Sequence, residues 1–205
     1  MTPVRRPPHP WLEPAILLGS LVPAAAIVTR GVRGELGANP IAQALNQLGL
    51  VALVFLLAAL ACTPAKILFG WTWPLRIRRM LGLLAFLYAT LHVATYTGLD
   101  QVFDWPAIWK DVSKRSFIFV GFAAFVLLVP LALTSTNGAV RRLGFARWKL
   151  LHRLAYVVPT LAVVHFFWRV KKDVSEPVTY GGVLTVLLAI RLVAYWRTRT
   201  AATAR

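Results

Sequence analysis

Six stretches of this chain are each long and apolar enough to cross a lipid bilayer, and that pattern limits the possible folds more than any other feature. A helix needs about 20 mostly apolar residues to span the hydrocarbon core, because every backbone amide there must be bonded within the segment. The stretches run roughly from Trp11 to Val28, Ala42 to Cys62, Met80 to Gly98, Phe117 to Leu133, Trp148 to Trp168 and Tyr180 to Trp196. The links between them are polar or breaker-rich, and none is long enough for a soluble domain. The expected fold class is all-α, an integral membrane bundle of about six transmembrane helices. The spanning domain at 11–196 sits between a basic Pro-rich N-terminus at 1–10 and a basic tail at 197–205. Arg5 and Arg6 before an apolar run also resemble a secretory signal, but Pro3, Pro7, Pro8 and Pro10 and the further spans favour a retained first helix.

Composition agrees, since 58% of the residues are hydrophobic and mean hydropathy is +0.65. The net charge of +16 would suit nucleic acid, but the Lys and Arg residues fall in short clusters between apolar runs instead of along one face. Nucleic-acid binding is therefore not expected. Cys62 is the lone cysteine, which excludes an internal disulfide, a Cys-rich zinc site and an iron–sulfur cluster held by this chain alone. The clusters also set orientation, because cytoplasmic loops carry the excess of Lys and Arg. Arg76, Arg78, Arg79, Arg141, Arg142, Lys149 and Arg197 fall on one side, against a thinner set of Arg30, Arg33, Lys110, Arg115 and Lys171 on the other. Both termini are expected on the cytoplasmic side. Tryptophans such as Trp71, Trp105, Trp109, Trp148 and Trp196 lie near span ends, where the expectation is an interfacial anchor.

Four histidines are present, and His9 lies in the basic N-terminus while His92, His152 and His165 lie inside spans. An ionisable side chain at membrane depth is costly unless it pairs, binds a cofactor or lines a polar path. One such ring alone reads as a neutral imidazole bonded to a neighbouring carbonyl or hydroxyl. Three together point to function. His92 lies about 20 Å into span three, and His165 lies at a matching depth on span five, at 1.5 Å per residue. Two neutral imidazoles facing each other across a bundle are what a six-coordinate haem iron requires, and such an iron favours electron transfer over oxygen binding. His92 and His165 are the first candidate pair. His152 lies near the inner edge, and the position that matches it on span three is Arg79, a poor iron ligand. Arg78, Arg79 or Arg153 would instead clamp haem propionates. On a straight helix, about 100° per residue leaves His152 and His165 some 140° apart, an offset that Pro159 between them is placed to reduce. The separation of about 20 Å along span five argues against one zinc ion shared by all three.

The segments Ala38-Asn39-Pro40, Arg78 through Gly82, Tyr88 through His92, Lys114 through Ile118, Pro130 through Ser135, Arg141 through Gly144 and Trp148 through Tyr156 are familiar in combination. They resemble the ferric-reductase-like transmembrane family, in particular its haem-binding subunits that serve periplasmic methionine-sulfoxide reduction. The likeness extends from Asn39 to about Lys172. It implies a bacterial inner-membrane cytochrome with b-type haem, one or two in number, and FMN as a second cofactor. His92, His152 and His165 fall at the family's haem-associated histidines. The implied donor is the quinone pool or a flavin reductase, and the implied acceptor is a separate periplasmic molybdenum-containing catalytic subunit that repairs oxidised proteins. The tail holds no glycine-rich turn that would cradle a nicotinamide or flavin dinucleotide, so donor and acceptor are expected to be other molecules. The rival class is a small proton-coupled transporter or a membrane anchor with the histidines as a relay. Against it stand the lack of deep carboxylates and of internal repeats, although spans three and five both carry histidine.

Overall fold

The computed structural model describes residues 11–203, so His9, Arg5, Arg6 and Arg205 lie outside it. The described residues form helices and connecting turns, with no strand among them. Six helical segments are long and apolar enough to cross a membrane: Leu12–Val32, Pro40–Phe69, Pro74–Asp100, Ser116–Leu133, Phe145–Arg169 and Ser175–Thr200. The protein is an all-α, multi-pass membrane bundle. In chain order the helices are α1 (Leu12–Val32), α2 (Pro40–Phe69), α3 (Pro74–Thr95), α4 (Trp105–Lys114), α5 (Ser116–Leu133), α6 (Asn137–Leu143), α7 (Phe145–Leu151), α8 (Leu154–Arg169) and α9 (Ser175–Thr203). A π turn at Tyr96–Asp100 extends α3.

The helices end where local chemistry allows. Asn39 caps α2 by accepting from the Ala42 amide at 3.0 Å, Pro40 occupies the first turn, and Gly70 closes the helix at φ +70°. Hydropathy places the end of this span at Cys62, before Thr63-Pro64, yet α2 continues to Phe69. Pro64 has no amide hydrogen to give the Leu60 carbonyl, and the Arg191 guanidinium of α9 donates to that carbonyl at 2.6 Å instead. The helix persists because its orphaned acceptor has found a donor from another span. From its place near the end of the last span, Arg191 is expected either to snorkel to the cytoplasmic edge or to contact a cofactor, and this bond decides against snorkelling. Its side chain reaches inward to α2 and also donates to the Tyr156 hydroxyl of α8 at 3.1 Å.

Pro23 lies inside α1, and Tyr88 of α3 is built in beside it at the adjoining rung of the helix. The Tyr88 hydroxyl donates to the Ser20 carbonyl and accepts from the Ala24 amide at 3.3 Å, so it replaces one rung of the α1 ladder. Tyr88 is 1% exposed and packs with Ile27, Leu48 and Ala52. Tyr88→Phe keeps the ring and leaves both backbone groups without their partner. A loss of about 1–2 kcal/mol is expected, read as a lower unfolding temperature in detergent.

Span five is one continuous helix in the sequence reading but two helices in the structure, joined by a turn at His152 and Arg153. Three amides there reach back three residues instead of four: Arg153 to Leu150, Ala155 to His152 and Tyr156 to Arg153. Such tight turns advance about 120° per residue instead of 100°, which reduces the angular offset between His152 and His165 by roughly 60°. The rewinding lies ahead of Pro159 and not at it. The last helix, α9, runs to Thr203, past the Trp196 where the apolar run ends.

The strongest packing is between α2 and α3 and between α5 and α8. Each of these pairs carries one of the deep histidines. Leu53, Leu57, Leu60 and Leu184 join α2 to α9, and Leu128, Leu131 and Val158 join α5 to α8. At the end away from the α1 N-terminus, Asp104 caps α4, and Trp105 and Trp109 lie exposed one turn apart. Asp111 pairs with Arg115 at 3.2 Å behind them. This division into an aromatic and a charged face suits a helix lying along the membrane surface.

Candidate functional site

His92 on α3 and His165 on α8 face one another, with ring centroids 6.2 Å apart and ring planes at 85°. Each ring is held from behind by a neighbouring helix. His92 Nδ1 lies 2.9 Å from the Leu45 carbonyl of α2, and His165 Nδ1 lies 2.6 Å from the Phe117 carbonyl of α5. A carbonyl only accepts, so Nδ1 must carry the proton on both rings. That leaves Nε2 of each with a free lone pair, the form in which imidazole binds a metal, and the carbonyl contact fixes its orientation.

A glycine makes room for each ring. Gly49 and Gly121 each lie one turn beyond the bonded carbonyl, at the place where a side chain would cover it. A Cβ at Gly49 would sit 3.1 Å from His92 Nδ1, and one at Gly121 would sit 2.5 Å from His165 Nδ1. The two helix pairs thus repeat one device: carbonyl, glycine four residues on, and histidine 47 or 48 residues after the carbonyl. The sequence reading finds no internal repeat because the repeat is confined to these contact positions.

The spacing bears directly on what the pair can hold. Two imidazoles on one metal, each bonded through one nitrogen at about 2.0–2.1 Å, place their ring centroids about 6 Å apart. The observed 6.2 Å fits a single iron between the rings. Among the described residues no three His, Cys, Asp or Glu side chains come together, so the pair is not part of a larger metal cluster. Arg169, one turn after His165, donates to the Asn46 side chain at 2.6 Å and lies within electrostatic reach of both histidines.

His152 lies at the other end of the bundle. Thr134 already donates to the Pro130 carbonyl at 2.6 Å, so its oxygen accepts from His152 Nε2 at 3.1 Å. Trp148 stacks on the His152 ring, with centroids 4.0 Å apart, and donates to the Thr134 carbonyl at 3.0 Å. Trp148 is therefore a packing partner of the histidine, beyond the anchor expected from its position. Of the three arginines singled out with His152, Arg78 is within electrostatic reach of it and contacts the Thr63 hydroxyl at 3.5 Å. Arg79 donates to Asn137 at 3.1 Å, and Arg153 is exposed at the turn.

The profile of the ferric-reductase-like transmembrane component matches residues 41–163, from the start of α2 into α8. The chain belongs to the ferric-reductase-like transmembrane family. Three relatives, each named protein-methionine-sulfoxide reductase heme-binding subunit MsrQ, match nearly end to end. That of Rhodospirillum rubrum is 55% identical over 90% of this chain and 89% of its own length. That of Deinococcus radiodurans is 51% identical over 92% and 93%, and that of Herminiimonas arsenicoxydans is 44% identical over 92% and 88%.

Within this member of the family, reasoning from residues alone misses Gly49, Gly121 and Arg169. A glycine inside an otherwise bulky apolar span, set one helical turn from a position facing histidine, is the signal for the first two. Arg169 is recognisable only as the first cation one turn beyond His165.

Proposed function

We propose that this protein is a membrane b-type cytochrome in which His92 and His165 together ligate one haem. The observation that carries the reading is the pair of rings 6.2 Å apart, each with Nδ1 held by a backbone carbonyl and Nε2 free. The relatives named as heme-binding subunits support it. Haem b, when bound, supplies a reversible one-electron iron couple, and two strong axial ligands leave no open position for oxygen. The chain's part is to fix both ring orientations and offer Arg169 to a haem carboxylate.

In this reading the protein passes electrons from the quinone pool, or from a flavin reductase, to a periplasmic molybdenum-containing methionine-sulfoxide reductase subunit. It sits in the bacterial inner membrane with both termini cytoplasmic, and the basic clusters at 76–79 and 141–149 support that orientation. His152, with Arg78 near it and Arg79 and Arg153 at the rim, is the position for any second haem, which it would hold through Nδ1 because its Nε2 donates to Thr134. FMN rests on family likeness.

Visible spectra of the chain purified in mild detergent, before and after dithionite, test the reading. Low-spin b-type bands are expected. A colourless protein, despite ample haem during expression, would favour the transporter or anchor class.

A further inference from the structure

Arg191 is more than a tether between spans. Leu60 and Thr63 stand one turn apart on α2. Arg191 of α9 donates to the Leu60 carbonyl at 2.6 Å, and Arg78 of α3 contacts the Thr63 hydroxyl at 3.5 Å. Two guanidiniums from different helices therefore bracket a single turn of α2. The Tyr156 hydroxyl and ring complete one wall, with the Arg191 guanidinium 5.4 Å from the ring centroid. The ion pairs among the described residues are Arg76 with Glu13 and Arg115 with Asp111, so neither Arg78 nor Arg191 has a carboxylate partner there. Arg191 Nε is buried and has no acceptor.

A neutral donor would satisfy the Leu60 carbonyl equally well, so that bond does not by itself account for a charge here. Arg191 is partly buried and keeps one donor without an acceptor, and Arg78, exposed in the first turns of α3, adds a second cation beside the same turn of α2, an arrangement that an anion would stabilise. We propose that Arg191 and Arg78, with the Tyr156 hydroxyl, form a binding site for the oxyanion of an amphipathic cofactor, either a carboxylate or a phosphate monoester. The planar guanidinium fork of Arg191 suits both groups. The proposal deepens the cytochrome reading by giving the inner level an anion-binding function that does not depend on His152 being a ligand.

The two sources of that oxyanion are separated on the full-length chain purified from membranes. Haem per chain is measured for wild type, Arg191→Gln, Arg191→Lys and Arg78→Gln, and flavin-depleted samples are titrated with FMN and with riboflavin, which lacks the phosphate. If the site takes a phosphate, wild type should prefer FMN over riboflavin by about tenfold or more, and Arg191→Gln should abolish that preference while haem content stays unchanged. If it takes a haem carboxylate, Arg191→Gln should lower haem per chain, and Arg191→Lys should restore part of it. Arg78→Gln removes only a long contact to a threonine, so it decides the matter should Arg191→Gln fail to fold. Haem content and FMN preference both unchanged in Arg191→Gln, or in Arg78→Gln alone where Arg191→Gln does not fold, would overturn the proposal. The low-spin bands of the outer pair are read in the same samples. A colourless wild type would end the cytochrome reading while leaving the FMN arm intact.

Discussion

Alanine in place of either His92 or His165 is expected to abolish one and the same low-spin haem. The two rings come from different helix pairs, and 6.2 Å between centroids leaves space for one iron bonded to both. Removing either ligand leaves a single imidazole, which supports at most a five-coordinate, high-spin site. Near-complete loss of the low-spin bands is expected for each variant, with total haem per chain falling as well. The fold should survive both changes. Each bonded carbonyl belongs to a helix whose own amide ladder also serves it, so losing the histidine strands no acceptor. Reduced-minus-oxidised spectra and haem extraction on the two variants, with His152→Ala as the comparison, decide the point. If only one of the two removed the low-spin signal, the pairing would be wrong.

Much of this fold was readable because hydropathy and length act on whole helices. The six spans follow from apolar runs that leave no choice but a helix in lipid, whereas the short helices α4 and α6 within two of the polar links do not. Helix ends and breaks were harder to read, since a partner distant in sequence decides them. Pro64 reads as a stop until Arg191 satisfies Leu60, more than a hundred residues away. The turn at His152 and Arg153 has no breaker residue of its own, and periodicity carries it through as helix.

The site divided along the same line. Matching depths brought His92 and His165 to one level by counting 1.5 Å per residue along two helices. Counting cannot give the backing partners. The Leu45 and Phe117 carbonyls are main-chain atoms with no residue signature, and a glycine in a span has several common uses, of which close approach by a ring is one. Arg191 looked like a snorkelling side chain from its place near a span end. It turns inward because Pro64 leaves an acceptor on the adjacent helix.

Gly121→Ala should lower the low-spin haem at least as severely as losing part of the ligand set, with both histidines still present. The new methyl carbon would lie 2.5 Å from His165 Nδ1, 2.8 Å from Cε1 and 3.1 Å from Cγ. The obstructed atoms belong to a rigid ring and not to the end of a flexible chain. The ring must therefore shift as a body, breaking its 2.6 Å contact with the Phe117 carbonyl and releasing Nδ1 from the tautomer that frees Nε2. A drop in haem occupancy of about tenfold is expected, since misplacing one axial ligand forfeits more than about 1.4 kcal/mol of metal binding. Gly49→Ala brings its methyl only to 3.1 Å and 3.2 Å of the His92 ring, which a displacement of a few tenths of an ångström relieves, so its effect should be partial. Alanine also favours helix over glycine by about 1 kcal/mol, so the haem-free variants should melt no lower than the haem-free parent. Haem occupancy and helix stability moving in opposite directions separate loss of ligand geometry from general unfolding. Full occupancy in Gly121→Ala would show that the His165 ring does not depend on the open face of α5.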